Sequence, residues 1–151
     1  MNASKLIGIV VLLLLSITLA YASPAGNNVV ISEVLYNPTG GAESGAEWIE
    51  LYNPTSSPIN ISLWFIQKQN SVAALQNFPQ GTIMPANSHL LIGDDGTLPA
   101  SLPTPDFIRE VSTLSNSASG IALVNSQLQA VDKVGWSGIS DTNFVEGSAK
   151  S

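Results

Sequence analysis

A hydrolytic site needs a nucleophile or a base with a partner, and this chain offers one histidine, His89, and no cysteine. A Cys–His pair is excluded, and a Ser–His–acid relay stays open only in principle. His89 follows Asn87-Ser88 at the head of a predicted strand, and no Gly-x-Ser-x-Gly turn occurs, so it reads as an ordinary turn residue. Glu33, Glu47 and Glu50 are the kind of acids that a glycosidase sets roughly 5 to 9 Å apart. A small sandwich has no deep cleft to hold a sugar between them, and solvation at the strand rims is the simpler reading. Asp94-Asp95-Gly96 places adjacent carboxylates on a tight turn, a source of oxygen ligands for calcium. It lacks the spaced acids and closing glutamate of a calcium loop, and Asp-Gly is a common turn pair, so no metal site is assigned. Gly26 and Gly40-Gly41 lack the strand-loop-helix setting that phosphate binding requires. The expectation is no catalytic residue and no cofactor.

Two features remain that bear on recognition. Asn60-Ile61-Ser62 is a glycosylation sequon just after a turn, whereas Asn37-Pro38-Thr39 and Asn53-Pro54-Thr55 carry the forbidden proline. In Glu47-Trp48-Ile49-Glu50-Leu51-Tyr52, alternation puts Ile49 and Leu51 on one face and Trp48, Glu50 and Tyr52 on the other. The aliphatic pair is expected in the core. Trp48 and Tyr52 are then half exposed around Glu50, covering the rim of the sheet or, in the functional alternative, forming a partner surface.

The elements that must position these residues are strands. Two aromatic-rich runs, one near Val29 to Tyr36 and one from Glu47 to Tyr52, each end in Asn-Pro, and nothing nearby has the 3.6-residue period of a helix. Further strands are predicted near Leu63 to Lys68, His89 to Gly93, Phe107 to Val111, Gly120 to Asn125 and Gln129 to Val134, with shorter pieces at Leu75 to Phe78 and around Ile83. Val131 and Val134 break strict alternation and predict a bulge or a strand end. Many short strands separated by Pro, Gly and Asn turns describe an all-β sandwich or barrel.

The first residues read differently. Leu6 to Ala22 is mostly apolar and uncharged, follows Lys5, and ends in Ala20-Tyr21-Ala22. It is shorter than the about 20 residues of a spanning helix and matches an export signal cut between Ala22 and Ser23. Membrane attachment is expected only if that segment is retained. The domain reading is a signal peptide over 1–22, a linker over 23–28 and one domain over 29–151. A net charge of −6, with 5 basic against 11 acidic residues, repels phosphate backbones and argues against a basic nucleic-acid surface.

In order along the chain, Ile31-Ser32-Glu33-Val34, Glu47-Trp48-Ile49-Glu50-Leu51-Tyr52-Asn53, Leu63-Trp64, Phe78-Pro79, Thr82-Ile83-Met84-Pro85-Ala86-Asn87, Leu90-Leu91-Ile92-Gly93, Leu114-Ser115-Asn116, Gly120-Ile121-Ala122-Leu123-Val124-Asn125 and Val131-Asp132-Lys133-Val134-Gly135-Trp136 form a pattern. It resembles the lamin tail domain, an immunoglobulin-like β-sandwich of nuclear lamins and of many exported bacterial and archaeal proteins. The resemblance implies a non-catalytic module that binds or tethers an unknown protein or surface polymer, secreted or at the cell surface. The rival it implies is an accessory domain of a larger exported hydrolase or nuclease. Glu146-Gly147 looks like the start of a closing segment that in the family continues into a last strand with an arginine. The expectation is therefore a fragment, with an open sheet edge prone to self-association.

Overall fold

The computed structural model describes residues 28–38, 47–94, 103–109 and 114–144. Ten strands lie among them: β1 (Val30–Leu35), β2 (Trp48–Tyr52), β3 (Ile59–Asn60), β4 (Phe65–Lys68), β5 (Ala74–Asn77), β6 (Ile83–Met84), β7 (His89–Asp94), β8 (Phe107–Arg109), β9 (Ser119–Val124) and β10 (Ala130–Trp136). The described residues contain no helix. One sheet has the order β1-β2-β7-β8, the other β10-β9-β4-β5, and β3 pairs with β6 in a small ribbon. The chain is the all-β, immunoglobulin-like sandwich that the sequence predicts.

Alternation decides which side chains fill the space between the sheets. Ile49 and Leu51 of β2 stand opposite Ile92 and Leu90 of β7, and all four are buried in the core. From the other sheet come Ile66, Leu75, Ile121, Leu123 and Trp136, and Val29, Ile61, Trp64, Phe78, Met84 and Leu114 complete the cluster. Each such side chain contributes about 1.5–3 kcal/mol relative to an exposed position.

Three local features differ from the strand reading or sharpen it. The strand expected from Leu63 begins at Phe65, because Leu63 adopts a left-handed φ of 61° in a turn and is exposed. The irregularity expected around Val131 is a register shift between Ala130 and Asp132. The pairing of β7 with β8 is parallel, which no local pattern predicts, and Asp106 pins it. The Leu91 N–H donates to the Asp106 carboxylate (2.8 Å), and the Asp106 N–H donates to the Leu91 carbonyl (2.8 Å).

Strand β9 is buried along its whole length, so its outer face is covered as well as its inner one. The 141–144 turn covers part of it. There the Asn143 backbone N–H, and secondarily the Gln69 and Asn143 side chains, hold the Asp141 carboxyl below its ordinary range. A methyl at Gly120 would lie 2.7 Å from Phe144 Cβ and 2.9 Å from the Val134 carbonyl oxygen, and a backbone carbonyl in a sheet cannot swing aside. Gly120→Ala is expected to cost about 1–3 kcal/mol in a urea unfolding titration, as overpacking does. A change under about 0.5 kcal/mol would mean that both the turn and the β10 backbone at Val134 give way without cost.

Candidate functional site

The residues that the sequence marks for recognition meet on the outer face of the first sheet, across three strands. Glu50 in the middle of β2 is paired in register with Glu33 of β1 on one side and Leu91 of β7 on the other. Two carboxylates directly opposite each other repel. Glu50 is compensated by donors: the Ser32 hydroxyl donates to Glu50 Oε1 (2.7 Å), and His89 Nδ1 approaches the same oxygen at 2.9 Å. The His89 ring stacks on Tyr52, its cross-strand neighbour, with centroids 4.5 Å apart. His89 is thus the first residue of β7 rather than a turn residue, and it is engaged by two side chains of β2.

The order Ser32–Glu50–His89 is not that of a serine relay. In such a relay the histidine stands between serine and acid, so that it can take the hydroxyl proton. Here the carboxylate stands between, and the Ser32 hydroxyl donates its hydrogen bond to Glu50. Of the three acids with a glycosidase-like look, the sheet brings Glu33 and Glu50 together, and Glu47 stands apart. Glu47 is fully buried, and its Oε2 accepts the Leu114 N–H at 2.7 Å. It ties the start of β2 to the segment that leads into β9.

Trp48 corrects the expectation of a half-exposed patch. It is on the outer face as alternation requires, yet only 8 % of its surface is accessible. Its register partners are Leu35 of β1 and Gly93 of β7. A glycine beside a tryptophan leaves the indole room to lie against the sheet, a known way of covering a glycine in a strand. Of the expected trio Trp48, Glu50 and Tyr52, only Glu50 and Tyr52 reach solvent, and both are tied to His89.

Asn60 is exposed at the end of β3, with its Oδ1 accepting the Ser62 N–H (2.9 Å) and the Ser62 hydroxyl. Ala22, Ser23, Asp95 and Gly96 lie outside the described residues, and Asp94 ends β7.

Two arrangements escaped the sequence reading. Asn53 is fully buried, and its side-chain amide donates to the carbonyls of Ser57 (3.0 Å), Met84 (3.2 Å) and Pro85 (2.8 Å). Its Oδ1 accepts from the Thr55 N–H (3.0 Å) and hydroxyl (2.8 Å). The second arrangement lies where the edges of the two sheets approach. Tyr36 stacks on Trp136 at 4.9 Å, and the Trp136 indole N–H donates to the Ser115 carbonyl (2.7 Å). A shallow apolar groove beside that stack is lined by Ile31, Ser32, Glu33, Val34, Tyr36, Val134 and Trp136.

The lamin tail domain family model matches residues 22–138, a span that includes every strand from β1 to β10. The chain belongs to the lamin tail domain family. No curated protein matches the chain. The lamin tail match runs through the Ser32–Glu50–His89 cluster, the Asn53 hub and the Tyr36–Trp136 stack, and the 141–144 turn lies just beyond it.

Proposed function

We propose that this lamin tail domain is an exported, non-catalytic module that binds or tethers a partner at the cell surface or outside the cell. The observation that carries the non-catalytic part is the position of Glu50 between Ser32 and His89. The one histidine of the chain is spent on a carboxylate and an aromatic ring, and the neighbouring hydroxyl donates to that carboxylate rather than facing a base. Export is supported by the Lys5-led apolar segment with its Ala20-Tyr21-Ala22 exit, and by the start of the family match at residue 22, next to the expected cut. An acidic surface with few basic residues favours a partner other than nucleic acid.

The test is intact mass with terminal peptide mapping of the protein recovered separately from medium and membranes of the source cells. A chain beginning at Ser23 in the medium is expected. A chain beginning at Met1 and confined to membranes would overturn free secretion. The same preparation is expected to turn over no glycosidase, esterase or nuclease substrate. Turnover lost in Glu50→Gln would restore an enzymatic reading.

A further inference from the structure

The groove beside the Tyr36–Trp136 stack runs between two edge strands. In the order of the two sheets β1 and β10 are both terminal, and they lie beside each other. At one end the Ile31 N–H donates to Asp132 Oδ2 (2.6 Å), and at the other the Tyr36 ring stacks on Trp136. These two clamps put residue 31 beside 132 and residue 36 beside 136, so β1 and β10 run in the same direction along the seam. The Ile31 bond also shows that an amide of β1 on the side away from β2 points into the seam. Between the clamps the floor is apolar, with Ile31, Val34 and Val134 half buried against the core. Glu33 is the charged residue of the lining and is exposed.

We propose that this seam is the recognition site of the domain, and that it takes an extended segment of a partner protein by strand addition. The segment carries alternating apolar side chains and a lysine or arginine that meets Glu33. The proposal rests on the reading of the chain as a binding module and names its surface. Three features select this occupant. The last strands of two sheets present backbone groups at the regular spacing of a partner strand, a repeat that a lipid or sugar does not match, and with the Ile31 amide already bonded to Asp132 the pairing falls between the two clamps. The groove holds about 260 Å³, below the about 300–1,000 Å³ of small-molecule sites but enough for a few side chains. The interval from Ser32 to Tyr36 accepts a strand of four or five residues, about 16 Å at 3.3 Å per residue. A second copy of this chain fits poorly, because a protein of net charge −6 would bring like charge to Glu33.

The test is selection of nine-residue peptides displayed on phage against the full chain, with the enriched peptides then synthesised and titrated by calorimetry. Enriched sequences are expected to alternate apolar and polar residues, to carry Lys or Arg, and to bind by backbone pairing, so that N-methylation of alternate amides removes binding. Glu33→Lys, an exposed change that leaves the core untouched, is expected to weaken them by about tenfold or more. Failure to enrich any peptide, or binding indifferent to both Glu33→Lys and N-methylation, overturns the seam. Peptides that respond to Tyr52→Ala instead would move recognition to the outer face, with the module reading intact and the seam refuted. A concentration-dependent dimer in sedimentation that Glu33→Lys disrupts would assign the groove to a second copy and also refute the proposal. Turnover of substrate in the assay of the previous section would defeat the module reading itself, independently of any peptide.

Discussion

Replacing Asn53 with alanine is expected to lower the stability of the domain by about 3 kcal/mol, a large share of the about 5–15 kcal/mol available to a domain. The side chain ties the turn after β2 to the end of β6, beside the short β3–β6 pairing. Its amide donates to Ser57 within its own turn and to Met84 and Pro85 at the end of β6, and its Oδ1 accepts both donors of Thr55. The Asn53 backbone N–H, which survives the substitution, donates to the Ser88 carbonyl just before β7. Alanine leaves the buried Met84 carbonyl without this donor and the Thr55 amide without its acceptor, while the Ser57 and Pro85 carbonyls keep the Thr55 and Ser88 hydroxyls. Each buried group stranded in this way costs about 1–3 kcal/mol. Partial entry of water keeps the sum nearer the low end of that range per group. The measurement is a urea titration of wild type, Asn53→Ala and Asn37→Ala. Asn37 occupies the same place in the other Asn-Pro turn but is exposed, and its replacement is expected to stay within about 0.5 kcal/mol. Equal losses in the two variants would mean that the Asn53 hydrogen bonds contribute nothing beyond an ordinary turn.

That pair of asparagines also shows where reading the sequence stops. Asn37-Pro38 and Asn53-Pro54 are indistinguishable as turn signals, and both do end strands. What separates them is a contact with residues 84 and 85, more than thirty positions away, and local chemistry cannot report a contact that the fold creates. The strands themselves were legible, because a period of two and the Asn, Pro and Gly stops are local properties. The two-residue strand β3 was missed, since Ile59–Asn60 is too short to show a period. The parallel pairing of β7 and β8 was missed because its determinant, the Asp106 clamp on Leu91, is again a nonlocal contact. At the candidate site, alternation put Trp48, Glu50 and Tyr52 on one face of β2, and the register agrees. It did not reveal that His89 would arrive from β7 to join Glu50 and Tyr52. Nor did it reveal the seam, which exists only because the terminal strands of two separate sheets meet.

Trp48 is where that gap has the largest energetic consequence. Alternation assigns a side chain to a face but is silent on whether the face is covered, and an outer-face tryptophan in a half-solvated sheet is expected to tolerate truncation. The structure reverses this. With 8 % of its surface accessible, Trp48 is as withdrawn from water as Leu90, although it stands outside the cluster between the sheets. Trp48→Ala is therefore expected to cost about 3–5 kcal/mol, the range for deleting a buried aromatic, since Gly93 on the β7 side has no side chain to move into the void. Tyr52→Ala, on the same face two residues on and half buried, is expected to cost markedly less, since it removes one stacking contact with the exposed His89. Thermal unfolding of both variants beside Trp48→Phe separates the two roles. A large drop for alanine that phenylalanine restores in good part identifies Trp48 as a structural cover of the sheet. A Trp48→Ala protein that melts with the wild type would place the indole at a solvent-facing partner surface and return the outer face of β2 to the centre of recognition.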